Sequence, residues 1–143
     1  PMGAYLTVAV QTQPWAVELD AIVPVPVGWR PRLSYGFSPP AALAKELGKG
    51  LNLPVLPLLY ERGKRRRQVG LTPEQRRRNV RGVFRIRRGA HPAGGIFCVV
   101  DDVSTTGATI QEVARVLKRA GATRVYAAVV ARTNPDRAHA LQA

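Results

Sequence analysis

Two adjacent carboxylates, Asp101 and Asp102, end an apolar run and are followed at once by Ser104, Thr105, Thr106, Gly107, Ala108 and Thr109. Ionised carboxylates only accept hydrogen bonds, so a neighbouring pair suits sugar hydroxyls or a bound cation. The next residues supply hydroxyl donors and successive backbone N–H groups, and Gly107 lets the backbone approach a ligand without a Cβ in the way. A helix opening there adds the partial positive charge of its N-terminus. Such a loop is built to hold a phosphate.

The flanking segments read as the elements that would position this loop. Ile96 to Val100 is continuously apolar, as in a parallel strand covered on both faces. Ile110, Val113, Ala114, Leu117 and Ala120 recur at helical spacing until Gly121 stops them, and Val125 to Ala131 is a second apolar strand. Strand, helix and strand in this order form a βαβ unit with parallel strands. Ligands of such sheets meet the chain beyond the carboxyl ends of the strands, where the acidic pair stands.

Upstream, Ala21 to Val27 reads as a strand whose end, carrying Pro24 and Pro26, leaves the sheet. Arg30 and Arg32 follow in a loop. Ser38 can cap a helix begun by Pro39 or Pro40, running through Leu43 and Leu47 and ending near Gly48 to Gly50. Val55 to Leu59 reads as a strand near an edge, interrupted by Pro57. Arg62 to Arg78 has no apolar period and reads as a mobile loop with a short helix from about Thr72. Val80 to Ile86 alternates like a strand, and Arg88 to Gly95 is a turn-rich connection. Ala4 to Val10 reads as a short strand, nothing in the N-terminal segment carries chemistry, and the tail from Arg132 is short and polar.

At 143 residues and 45% hydrophobic content the chain is expected to form one globular domain over residues 1–143. The lone Cys98 excludes a disulfide framework and a cysteine-based zinc site within these residues, and no N-terminal zinc module is expected in them. No apolar run reaches the roughly 18 residues needed to span a membrane, no signal-peptide pattern opens the chain, and a cytoplasmic location without membrane insertion is expected. The net charge of +13 is concentrated between Arg62 and Arg88, where only Glu74 is acidic. A field of that sign favours polyanions: nucleic acid, or a small ligand carrying phosphate and pyrophosphate. Arginine predominates, which suits forked contacts to phosphate oxygens.

The run Val99 to Thr109 resembles the 5-phosphoribosyl 1-pyrophosphate (PRPP) signature of the type I phosphoribosyltransferases. Pro24-Val25-Pro26-Val27, Gly36-Phe37 and Ala42-Leu43-Ala44, with Arg66, Gln68, Leu71, Arg76, Asn79 and Gly82-Val83-Phe84, are similar to the competence-protein ComF/ComFC subgroup. The resemblance covers roughly residues 20 to 132 and implies an α/β fold of the type I phosphoribosyltransferase kind, a Rossmann-like parallel sheet flanked by helices. That subgroup usually has Arg before the Gly-Phe pair and Asn-Gln after it, where this chain has Tyr35, Ser38 and Pro39. The 6-oxopurine salvage branch has an Asp where Thr105 stands, which argues against a hypoxanthine or guanine transferase.

The resemblance implies transfer or binding of a 5-phosphoribosyl group with Mg2+ and a link to DNA uptake. Asp101 and Asp102 would act on the ribose as the catalytic pair and meet Mg2+ carried by PRPP. Ser104 to Thr109 would wrap the 5′-phosphate. Val25, Pro26, Arg30 and Arg32 would border the pyrophosphate, under a loop bearing Arg66, Gln68 and Arg76. The alternative on the same fold is a non-catalytic protein that binds nucleic acid or a helicase. Single-stranded DNA and a competence helicase are then the partners to test, and a dimer is compatible with either reading.

Overall fold

The acidic pair is carried by the central strand of a four-stranded sheet. The computed structural model describes residues 2–26, 39–62, 72–103, 107–131 and 139–142. In chain order these form α1 (Met2–Gln11), a 3-10 turn (Pro14–Glu18), β1 (Ala21–Pro24), α2 (Pro39–Leu51), β2 (Leu59–Glu61) and α3 (Pro73–Val80). They continue with β3 (Phe84–Ile86), β4 (Ile96–Val103), α4 (Ala108–Arg119), β5 (Arg124–Ala131) and β6 (His139–Gln142). The sheet has the order β1-β4-β5-β6, with β1 and β5 parallel to β4 and β6 antiparallel to β5. Strands β2 and β3 form a separate antiparallel ribbon.

Strand β4 is apolar throughout its first half because both its faces are covered. Side chains alternate across a strand, and the core divides accordingly. Phe97 and Val99 face α4 (Ile110, Val113, Ala114, Leu117) and the ribbon (Leu59, Phe84), while Cys98 and Val100 face α1 and α2 (Leu6, Val10, Leu43, Ala44, Leu47). The crossover after β1 therefore runs over one face of the sheet and that after β4 over the other. Burial pushes the Cys98 thiol up to about 12, which leaves it a packing residue without nucleophilic or metal-binding character.

The segment Ala4 to Val10, expected as a strand, is instead helix α1. Leu6 and Val10 lie one turn apart and are fully buried against α2 and the sheet, and this packing outweighs the β-preference of Val8 and Val10. Helix α2 continues through Gly48 and Gly50, past the expected stop. A Cβ on Gly50 would lie 2.5 Å from Cγ2 of Thr7, so the glycine is there to let α1 come close. The N-terminal segment is tied to β5 as well. Trp15 stacks on Tyr126 with ring centroids 4.3 Å apart, and Glu18 accepts hydrogen bonds from Tyr126 Oη (2.9 Å) and Arg124 Nη1 (3.0 Å).

Two further expectations are corrected. The strand expected at Val55 to Leu59 is reduced to a single parallel bridge between Val55 and Ile22, and β2 begins only at Leu59. Pro57 has no N–H to continue the ladder. The strand expected from Val80 is shortened to Phe84–Ile86, because Val80 is the last residue of α3. The short helix expected from Thr72 is present. Thr72 caps it, accepting from Gln75 N–H (3.1 Å) while its own N–H donates to Gln75 Oε1 (2.8 Å). The polar tail adds β6 to the sheet edge. No described helix is long and apolar enough to cross a membrane.

Candidate functional site

Strand β1 lies beside β4 with Pro24 opposite Val100, and Val25 N–H donates to Val100 O (2.9 Å). The two strand ends, at Val25-Pro26 and Asp101-Asp102, thus emerge side by side. Their crossovers then part to opposite faces of the sheet. This is the topological switch point of a doubly wound sheet, where the diverging chains leave a crevice for a ligand.

Strand β4 continues past Val100, so the acidic pair belongs to the strand itself and does not lie beyond it. Asp101 pairs in register with Val129 and is 8% exposed, whereas Asp102 is half-buried. Asp101 continues the Phe97–Val99 face and Asp102 the Cys98–Val100 face. The Asp102 N–H donates to Asp101 Oδ1 (2.9 Å), fixing the orientation of the deeper carboxylate. A single sugar can engage both only from over the end of the strand, where one hydroxyl can reach each side.

Gly107 opens α4 in the left-handed region (φ 77°) and provides no side-chain cap. Its carbonyl accepts from Gln111 N–H (2.8 Å). Ala108 is buried in the core and Thr109 is half-buried. Of the residues expected to form the site, the structure brings together Val25, Pro26, Asp101, Asp102, Gly107, Ala108 and Thr109. Arg76 lies on α3, and its side chain is outside the described residues. Ser104, Thr105, Thr106, Arg30, Arg32, Arg66 and Gln68 also lie outside them.

One residue behind the site escaped sequence reasoning. Glu112, on α4, is 7% exposed and accepts from Arg115 Nη2 (2.6 Å), Arg115 Nε (2.9 Å) and Gly82 N–H (3.1 Å). It fastens the turn after α3 to the helix that opens at Gly107. The Arg115 hydrogen bonds hold its carboxyl below the usual carboxylate range. Burial opposes them, and the Gly82 N–H and the charges of Arg115 and Arg81 assist. A lone Glu in an amphipathic helix gives no signal of this role, apart from the Arg three residues on.

Because the folded value is the lower one, this contribution to stability is complete above the unfolded carboxylate pKa of about 4.3 and is lost as pH falls through the folded value. Glu112→Ala, which leaves Gly82 N–H without this acceptor, is expected to cost about 1–3 kcal/mol near neutral pH. Urea unfolding of both proteins checks this: the gap should narrow in strong acid, and a gap independent of pH would contradict it.

The fold and site define a type I phosphoribosyltransferase fold. Glutamine PRPP amidotransferase from B. subtilis, complexed with ADP and GMP, superposes with a TM-score of 0.60 at 22% identity over 90% of this chain and 26% of that chain. An adenine phosphoribosyltransferase superposes with a TM-score of 0.58 at 18% identity over 91% of this chain and 69% of the other. The family model of the phosphoribosyl transferase domain matches residues 33–142, and the chain belongs to that family.

Among curated proteins the chain is distantly homologous to Competence protein F of Haemophilus influenzae, 30% identical over 105 residues (71% of this chain, 45% of that protein). It is likewise homologous to DNA utilization protein YhgH of Escherichia coli O157:H7, 32% identical over 118 residues (80% and 50%). It spans about half the length of these relatives.

Proposed function

We propose that this domain binds Mg2+-PRPP at the crevice between β1 and β4 and transfers its 5-phosphoribosyl group to a nitrogenous acceptor. The observation that carries the reading is the Asp101-Asp102 pair at the end of β4, beside the end of β1 and ahead of a helix opened by left-handed Gly107. Asp101 and Asp102 would accept hydrogen bonds from the ribose hydroxyls. The loop from Ser104 to Thr109 would surround the 5′-phosphate, with the first N–H groups of α4 aimed at it. Arg30 and Arg32 would meet the pyrophosphate, and the loop with Arg66 and Gln68, followed by Arg76 on α3, would close over it and exclude water.

The residues present fit Mg2+. Among the described residues no group of three or more His, Cys, Asp or Glu converges, so they form no all-protein cage. Two hard carboxylates suit an ion that keeps its waters and is held largely by substrate phosphates. Bound with PRPP, Mg2+ would neutralise charge on the departing pyrophosphate. The protein's part in an oxocarbenium-like transition state is then to orient the ribose from Asp101 and Asp102 and to add positive charge around the leaving group.

Likeness to a competence protein and a DNA utilization protein supports a role connected with DNA uptake. Pyrophosphate release from PRPP, measured with Mg2+ across a panel of nitrogenous acceptors, tests the transfer step. Acceptor-dependent release is expected. PRPP that binds but releases no pyrophosphate with any acceptor in the panel would reduce the reading to binding.

A further inference from the structure

The ribbon carries a surface that the PRPP site does not use. Tyr60 pairs directly with Arg85 across β2 and β3. The ladder extends at both ends through Arg62 N–H to Val83 O (2.6 Å) and Arg87 N–H to Leu58 O (2.8 Å). Strand alternation sorts the side chains. Leu59 and Phe84, 2% and 1% exposed, turn into the core, while Tyr60, Arg62, Arg85 and Arg87 share the outward face and are all exposed. Arg88, just beyond β3, is exposed as well.

Three properties of this face narrow its partner. Among the described residues Arg62, Arg85, Arg87 and Arg88 take part in no ion pair, so the strip keeps its charge within a chain of net +13. Their guanidinium forks match phosphate oxygens. Tyr60, 41% exposed, puts an aromatic ring among them, and the base of an unpaired nucleotide can stack on such a ring. A duplex hides its base faces, and a lipid surface would call for more exposed apolar side chains than this one ring. In sequence the arginine-rich stretch from Arg62 to Arg88 contains one aromatic residue, Phe84, and that ring is buried. Strand pairing supplies an exposed one from Tyr60, on the other side of α3.

We infer that the outward face of the β2–β3 ribbon binds single-stranded nucleic acid, with Tyr60 stacking a base and Arg62, Arg85 and Arg87 holding the phosphates beside it. This site is independent of the PRPP reading. Fluorescence anisotropy of a labelled oligodeoxythymidine, titrated with the full chain over a range of salt, tests it. Tyr60→Ala should weaken binding about 5- to 100-fold. Tyr60→Phe should retain it, and Arg85→Ala should make the salt dependence shallower by about one phosphate contact. Asp101→Asn/Asp102→Asn should bind the oligonucleotide like wild type. Since Tyr60 is exposed, unchanged circular dichroism of Tyr60→Ala separates lost contact from lost fold. Equal binding by Tyr60→Ala and wild type, equal affinity for a duplex of the same length, or no binding at all would each overturn the inference.

Discussion

The double variant Asp101→Asn/Asp102→Asn is expected to lose binding of Mg2+-PRPP by a factor of roughly 10^2 to 10^4. The figure follows from two hydrogen bonds between ionised acceptors and ribose hydroxyls, at about 1.5–3 kcal/mol each. Asparagine keeps the size of the side chain and one acceptor oxygen. The Asp102 N–H contact of 2.9 Å to position 101 therefore survives, and the buried end of β4 is not left with an empty space. Calorimetric titration of PRPP into the variant, with its thermal melt as a check on folding, gives the result. A variant that binds PRPP as wild type does would remove the pair from the site.

Phe84→Ala is expected to destabilise the protein by about 3–5 kcal/mol, the range for truncating a buried aromatic. Phe84 is 1% exposed and joins the ribbon to the core shared with Leu59, Val80, Val113 and Leu117. Ribbon and core depend on each other, since two three-residue strands cannot hold a ribbon by their ladder alone. Thermal unfolding should show a fall in Tm on the order of 10 °C. A fall of a degree or two would mean that the ribbon is not anchored through this residue.

The centre of the fold was legible from sequence because signals of different kinds coincide there. From Ile96 to Ala131 an apolar strand, a helical period stopped by Gly121 and a second apolar strand agree with one another. The acidic pair and Gly107 were legible for the same reason, each lying at an element boundary. The periphery was not. Leu6 and Val10 are four residues apart, a spacing that suits the face of a helix and of a strand alike, and only packing against α2 decides between them.

Val80 and Phe84 present the same ambiguity, with the last turn of α3 and the start of β3 both reaching one core. Strand β6 is short, lies at an edge and follows polar residues, so its pairing with β5 left no pattern to read. Glu112 and the Tyr60–Arg85 pair depend on partners 25 to 30 residues away, and no local window contains both members.

The central claim is that the crevice between β1 and β4 is a ribose-phosphate site, and titration of PRPP with Mg2+ into the wild-type chain tests it most directly. The account predicts saturable micromolar binding that ribose 5-phosphate displaces, since the sugar and its 5′-phosphate would occupy the Asp101-Asp102 and Gly107 ends of the same crevice. Absence of binding to a folded wild-type protein would contradict it.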